Sequence, residues 1–135
     1  MSKVKVLVVD DEIEFATTLA ERLNIRGFET TCCFCTEDAL ALIHAREFPD
    51  VVLLDLKMPH MDGMETLEEI KKYNPTIEVI MLTGHGGGIS LIGAERKKYS
   101  PFDCIMKPAD INELTSKINQ AMAKRQLAIS KGEGE

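Results

Sequence analysis

The stretch Val51-Val52-Leu53-Leu54-Asp55-Leu56-Lys57-Met58-Pro59-His60-Met61-Asp62-Gly63 decides the fold. Its four consecutive aliphatic residues predict a strand buried on both faces, the habit of a central parallel strand. The strand runs straight into a carboxylate, Asp55, and Pro59 and Gly63 break the pattern before a helix. In open α/β sheets the ligand crevice lies beyond the carboxyl ends of the strands, so an acid at that position is offered to solvent and chemistry. An Asp there can equally cap the next turn, and its partners elsewhere in the chain decide between the two.

On either side of this stretch the same alternation repeats. Residues 4–9 predict a first strand ending at Asp10-Asp11, and a helix follows from Glu12 with Ala16, Leu19, Ala20 and Leu23 on one buried face. Gly27 is placed to end that helix in the left-handed conformation. Residues 28–34 predict a second strand, and Thr36 is placed to cap a helix running to about Arg46. After the central strand come a helix over 64–73 closed by Asn74-Pro75, and a strand over 78–82 ending at Thr83.

Glycines 84, 86, 87, 88 and 93 then surround a short apolar cluster, which predicts a weakly started helix over 89–98 behind a mobile loop. Residues 103–106 form the last strand, followed by Lys107-Pro108. Asp110 caps a closing helix with Ile111, Leu114, Ile118 and Ala121 on one face. Residues 1–125 are thus expected to form one domain, with 126–135 a frayed tail.

Five strands alternating with five helices specify a parallel sheet with right-handed crossovers and helices on both faces. The expected fold is α/β, a flavodoxin-like doubly wound (βα)5 unit with strand order 2-1-3-4-5. That order brings Asp10, Asp11 and Asp55 together and sets Thr83 and Lys107 on the same rim.

Composition narrows the function classes. A chain of 135 residues with 44% hydrophobic content supplies one ordinary core, and a net charge of -6 argues against nucleic acid as a partner. No run approaches the roughly 18 apolar residues of a membrane span, and Met1-Ser2-Lys3 enters a strand without a signal-peptide pattern, so a cytoplasmic location is expected. The four cysteines, Cys32, Cys33, Cys35 and Cys104, read as small buried hydrophobes, and a zinc site, which would need all four, is opposed by the expected place of Cys104 on the opposite edge of the sheet.

Three carboxylates in one pocket repel: two unit charges about 4 Å apart cost about 4 kcal/mol at an effective dielectric of 20. Hard divalent cations, Mg²⁺ or Mn²⁺, suit such an all-oxygen site. With the Lys107 ammonium and the Thr83 hydroxyl beside it, Asp55 becomes a candidate nucleophile for phosphoryl transfer.

These residues resemble a known family, the receiver domain of two-component response regulators, over essentially the whole chain. The matching features are Leu7-Val8-Val9-Asp10-Asp11-Glu12, Leu53-Leu54-Asp55-Leu56-Lys57-Met58-Pro59, Asp62-Gly63, Met81-Leu82-Thr83-Gly84 and Met106-Lys107-Pro108. The resemblance implies that Asp55 accepts a phosphoryl group from a sensor histidine kinase or phosphotransfer protein in a Mg²⁺-dependent reaction. Asp10, Asp11, Asp55 and the backbone carbonyl of Lys57 would hold the metal, while Lys107 and Thr83 would contact the phosphoryl oxygens. The Lys107–Pro108 peptide would be cis, and Gly84 would leave room for the donor and for hydrolytic water.

The resemblance further implies a switch through the face made by the 89–98 helix, strand five and the closing helix. That face would engage an unidentified downstream protein or, on phosphorylation, a second copy. No activity on external substrates, no nucleic acid and no membrane are expected.

The chain departs from the family at Cys104, where relatives carry Tyr or Phe, so ring rotation cannot report the switch there. Ser100-Pro101 stiffens the approach to strand five, and Gly86–Gly88, His85 and Lys57 flank the pocket. Three other functions compete. A metal-dependent phosphohydrolase needs a general-acid Asp where Lys57 stands. A flavodoxin-like cofactor carrier needs a phosphate cradle where Asp10-Asp11-Glu12 would repel it. A phosphate-independent pseudo-receiver is opposed by the intact set of Asp10, Asp11, Asp55, Thr83 and Lys107.

Overall fold

A computed structural model describes residues 3–56, 63–84, 101–107 and 110–131. Its elements in chain order are β1 (Lys5–Val9), α1 (Ile13–Ile25), β2 (Glu29–Cys33), α2 (Thr36–His44), β3 (Val51–Asp55), α3 (Gly63–Tyr73), β4 (Glu78–Thr83), β5 (Asp103–Met106) and α4 (Ile111–Ser130). The five strands form one parallel sheet in the order β2-β1-β3-β4-β5, as the alternation requires. The predicted 89–98 helix and its glycine-rich approach lie outside the described residues.

Strand alternation divides the core between two faces. Val6, Val8, Leu53, Ile80 and Leu82 point to one side, where Ala16, Leu19 and Leu23 of α1 and Leu114, Ile118 and Ala121 of α4 cover them. Leu7, Val9, Val52, Leu54 and Met81 point to the other, under Ala39 and Ile43 of α2 and Leu67 and Ile70 of α3. Val51 through Leu54 are fully buried, each contributing roughly 1.5–3 kcal/mol of hydrophobic stabilisation. β3 is therefore the rigid floor on which Asp55 is mounted. Among the described residues no helix is long and apolar enough to cross a membrane.

Helix ends follow local chemistry. Gly27 ends α1 with φ +98, as its position predicts. Asp110 caps α4, its carboxylate accepting from the Asn112 backbone N–H at 3.0 Å. The start of α2 differs from expectation: Cys35 holds the extended N-cap position and Thr36 is already helical, with its hydroxyl 3.5 Å from Glu37 Oε1. α2 also stops at His44, because Arg46 takes a left-handed φ of 64°.

The tail expected to fray from residue 126 instead continues α4 to Ser130. Ala, Lys, Arg, Gln and Leu over 123–128 are all strong helix formers, and Arg125 Nη1 ties this end to Asp50 Oδ1 at 3.1 Å.

Candidate functional site

Strand register assembles the site. Val9 pairs with Leu54, so Asp10 and Asp55 each stand one residue beyond that pair on neighbouring strands. Thr83 pairs with Met106, and the Lys107 N–H donates to the Thr83 carbonyl at 2.7 Å, so Lys107 is the next residue past the end of β5. Carboxylate oxygens of Asp10, Asp11 and Asp55 lie within 4.8 Å of one another. The sequence-predicted cluster is thus present, with Thr83 and Lys107 on the same rim.

Burial differs across the three acids. Asp10 is fully buried, and its Oδ1 accepts from the Glu12 backbone N–H at 2.9 Å. Asp11 is exposed. Asp55, expected to face solvent, is only 6% exposed. The sheet does not stop at this residue: the Leu56 N–H still donates to the Leu82 carbonyl at 3.0 Å. The Asp55 carboxylate sits on the floor of the rim, beneath the Lys107 side chain.

Lys107 Nζ lies 2.7 Å from Asp10 Oδ2, 3.0 Å from Glu12 Oε1 and 3.8 Å from Asp55 Oδ1. Burial works to lower its pKa, but the hydrogen bonds to Asp10 and Glu12 and the field of Asp10 and Asp55 outweigh burial and hold it above the ordinary lysine value. The ammonium also stands 4.4 Å from the centroid of the Phe15 ring, a cation–π distance. Thr83 is buried, and its hydroxyl has no hydrogen-bond partner among the described residues. A buried hydroxyl left in that state is costly.

Two neighbours of Lys107 went unassigned in the sequence. Glu12 reads there as the start of a helix and as a member of the Asp10-Asp11-Glu12 run, and Phe15 is not singled out. Contacts between α1 and the end of β5 carry no periodic signal.

The expected Lys57 carbonyl ligand, His85 and the Lys107–Pro108 peptide lie outside the described residues. Cys104 stands opposite Met81 in the sheet, half-buried, with its thiol pKa raised by burial. All four cysteines are free, and Cys104 on β5 is at the far edge from Cys32 and Cys33 on β2. Burial, with Asp38 adding to it, pushes the Cys33 thiol up to about 11, which keeps it protonated and poorly suited to metal or redox chemistry. A cavity of about 630 Å³ near Lys5, Arg46 and Phe48 lies at the amino ends of β1 and β2 and includes none of the site residues.

Comparison with known proteins follows from this geometry. Residues 6–119 match the family model described as the response regulator receiver domain. The chain is 34% identical to the sporulation initiation phosphotransferase F of Bacillus subtilis over 120 residues, covering 89% of this chain and 94% of that protein. It is 34% identical to the transcriptional regulatory protein ZraR of Salmonella typhimurium over 90% of this chain but only 27% of that one. The chain thus spans about a quarter of the length of such regulators. A crystal structure of a response regulator receiver domain protein from Clostridium thermocellum superposes with a TM-score of 0.84 at 34% identity, covering 92% of this chain and 98% of that one.

Proposed function

The chain belongs to the response regulator receiver domain family of two-component signalling, and from that membership we propose that Asp55 is its phosphoacceptor. One observation carries the reading. At a single strand rim three carboxylates converge within 4.8 Å, beside the Lys107 ammonium and a buried Thr83 hydroxyl that has no partner among the described residues.

In the proposed reaction an Asp55 carboxylate oxygen attacks the phosphorus of a phosphohistidine on a sensor kinase or phosphotransfer protein. The O–P bond forms as the P–N bond breaks, and the electron pair returns to the imidazole. Lys107 supplies positive charge at the phosphoryl oxygens, and the Thr83 hydroxyl donates to one of them. Burial of Asp55 excludes water and strengthens both contacts.

The donor set fits Mg²⁺, or Mn²⁺: Asp10, Asp11 and Asp55 offer only hard oxygens, and Asp11 opens one side to water. The Lys57 backbone carbonyl would complete the protein ligands. When bound, the ion neutralises negative charge gathering on the transferring group.

Hydrogen bonds to a charged group contribute roughly 1.5–3 kcal/mol each, so the contacts of Thr83 and Lys107 shift a two-state equilibrium by one to a few powers of ten. The shift is read by a partner at the face that includes β5 and α4. With Cys104 in place of an aromatic ring, it runs through Thr83 without ring rotation. The receiver unit occupies residues 1–125, and its chemistry is confined to its own phosphorylation and dephosphorylation.

The test is intact mass after incubation with acetyl phosphate, with and without Mg²⁺, on wild type and Asp55→Asn. One phosphoryl adduct that requires Mg²⁺ and disappears in Asp55→Asn is expected. A wild type that stays unlabelled while an established receiver is labelled in parallel would count against autonomous phosphorylation.

A further inference from the structure

We infer that Glu12 is a positioning residue that parks the Lys107 ammonium away from Asp55 before phosphorylation, and that its release from Glu12 is one step of the switch. The inference rests on the reading of Asp55 as phosphoacceptor and adds a residue to it.

The distances carry the argument. Lys107 Nζ is within hydrogen-bond reach of Asp10 Oδ2 at 2.7 Å and Glu12 Oε1 at 3.0 Å, but not of Asp55 Oδ1 at 3.8 Å. An ammonium has three N–H groups. Two are committed to Asp10 and Glu12, and the Phe15 ring face occupies another side at 4.4 Å. The acid that is to be phosphorylated therefore has the longest of the three carboxylate contacts.

The two acids that hold Lys107 are not equivalent. Asp10 is buried and also fastened by the Glu12 backbone N–H, so its bond to Lys107 is the fixed one. The Glu12 side chain is 65% exposed, which makes its bond screened and exchangeable. Glu12 occupies the N-cap position of α1 yet makes no side-chain cap hydrogen bond. Its carboxylate reaches across to Lys107 instead. A phosphoryl group on Asp55 adds close to two negative charges and three strong acceptor oxygens, and so outcompetes the one exposed carboxylate for the contact that Glu12 now holds.

The experiment measures the dissociation constant of beryllofluoride, a phosphoryl mimic, at saturating Mg²⁺ by NMR titration. The proteins are wild type, Glu12→Gln, Lys107→Ala and the double variant. Glu12→Gln is expected to tighten binding by roughly 1.5- to 5-fold, the range for an exposed ion pair, and to have no effect once Lys107 is absent. Equal tightening in both backgrounds would mean a simple charge effect on the anion and would overturn the inference, as would no tightening in either.

A second readout does not depend on Lys107→Ala folding. The ammonium ¹⁵N resonance of Lys107 in the metal-free wild type should shift, with faster proton exchange, in Glu12→Gln, and an unchanged resonance overturns the inference. A wild type that binds no beryllofluoride brings down the receiver reading and this inference with it. A wild type that binds while the cycle shows no coupling removes only the role of Glu12.

Discussion

Gly63 is where a single methyl group tests whether the structure around Asp55 is as tight as described. A Cβ built there would lie 2.8 Å from Leu56 Cα, 2.8 Å from Met81 Cε and 3.0 Å from Leu56 O. The methionine end is flexible and can yield. The Leu56 backbone cannot, because the Gly63 N–H is bonded to the Leu56 carbonyl at 2.9 Å and Leu56 continues the sheet one residue past Asp55. Overpacking of this kind costs typically 1–3 kcal/mol, while replacing a glycine by alanine at an allowed conformation returns about 0.4–1 kcal/mol through the unfolded state. Gly63→Ala should therefore lose about 1–2 kcal/mol net, by the same principles.

Urea unfolding reads this as a lower midpoint at unchanged slope. Gly84→Ala is the matched control, since among the described residues nothing lies within 4 Å of its Cβ, and it should be neutral or slightly stabilising. The function should follow the geometry. Displacing Leu56 by a few tenths of an ångström moves Asp55, and phosphoryl adduct formation should slow several-fold. Equal midpoints for Gly63→Ala and Gly84→Ala would refute the reasoning.

Two further outcomes are expected. Thr83→Val removes a buried hydroxyl that has no partner among the described residues, so the resting protein should keep its stability or gain up to about 1–3 kcal/mol, while beryllofluoride affinity falls roughly ten- to a hundredfold. A destabilised resting state, measured by the urea midpoint, would show that the hydroxyl is already engaged. The Cys33 thiol, held up at about 11 by burial, keeps its proton in the folded chain after the unfolded thiol, near 8.5, has lost it. Stability present below about pH 8.5 should therefore decline by roughly 3 kcal/mol as pH rises through about 11. Cys33→Ala should flatten that part of the alkaline slope, and an identical slope in both proteins would exclude Cys33 as the cause.

The architecture was legible in the sequence because it rests on periodicity. Val51–Leu54 could only be a strand buried on both faces, and five such units in alternation leave few sheet orders. The convergence of the candidate site residues was legible for a related reason: Asp10, Asp55, Thr83 and Lys107 all stand at or just past the ends of apolar runs, and the sheet order converts those ends into neighbours. What escaped depends on contacts between distant elements. Whether Asp55 faces water is set by Lys107 and by the hydrogen bond of Leu56 to β4, neither of which its own surroundings in sequence reveal. The reach of Glu12 to Lys107 joins the start of α1 to the end of β5. The extra turn of α4 depends on helix propensity and on Arg125 meeting Asp50 across the fold.

The two ends of the sheet show why one of them is a site. At the amino end, acids stand beside cations: buried Glu78 has Lys71 and Lys124 at 3.6 Å each from Oε1, and half-buried Asp50 has Arg125 at 3.1 Å and also accepts from the Lys5 backbone N–H at 2.8 Å. Burial lowers the Lys71 pKa against the pull of Glu78, so this end spends its charges on holding helices to strands. At the carboxyl end Asp10, Asp11, Glu12 and Asp55 gather around one ammonium, Lys107, and a buried hydroxyl has no partner among the described residues.

Unpartnered buried atoms occur at both ends, Glu78 Oε1 and Thr30 Oγ1 as well as Thr83 Oγ1, and what sets the carboxyl end apart among the described residues is its excess of carboxylates over cations. On the proposed function, a divalent cation would relieve that excess, and a phosphoryl group would then give the hydroxyl an acceptor and give Lys107 a stronger partner than Glu12. At the amino end a phosphoryl group would break ion pairs that hold helices to strands, whereas at the carboxyl end it would exchange one exposed contact, that of Glu12 with Lys107, for a stronger one.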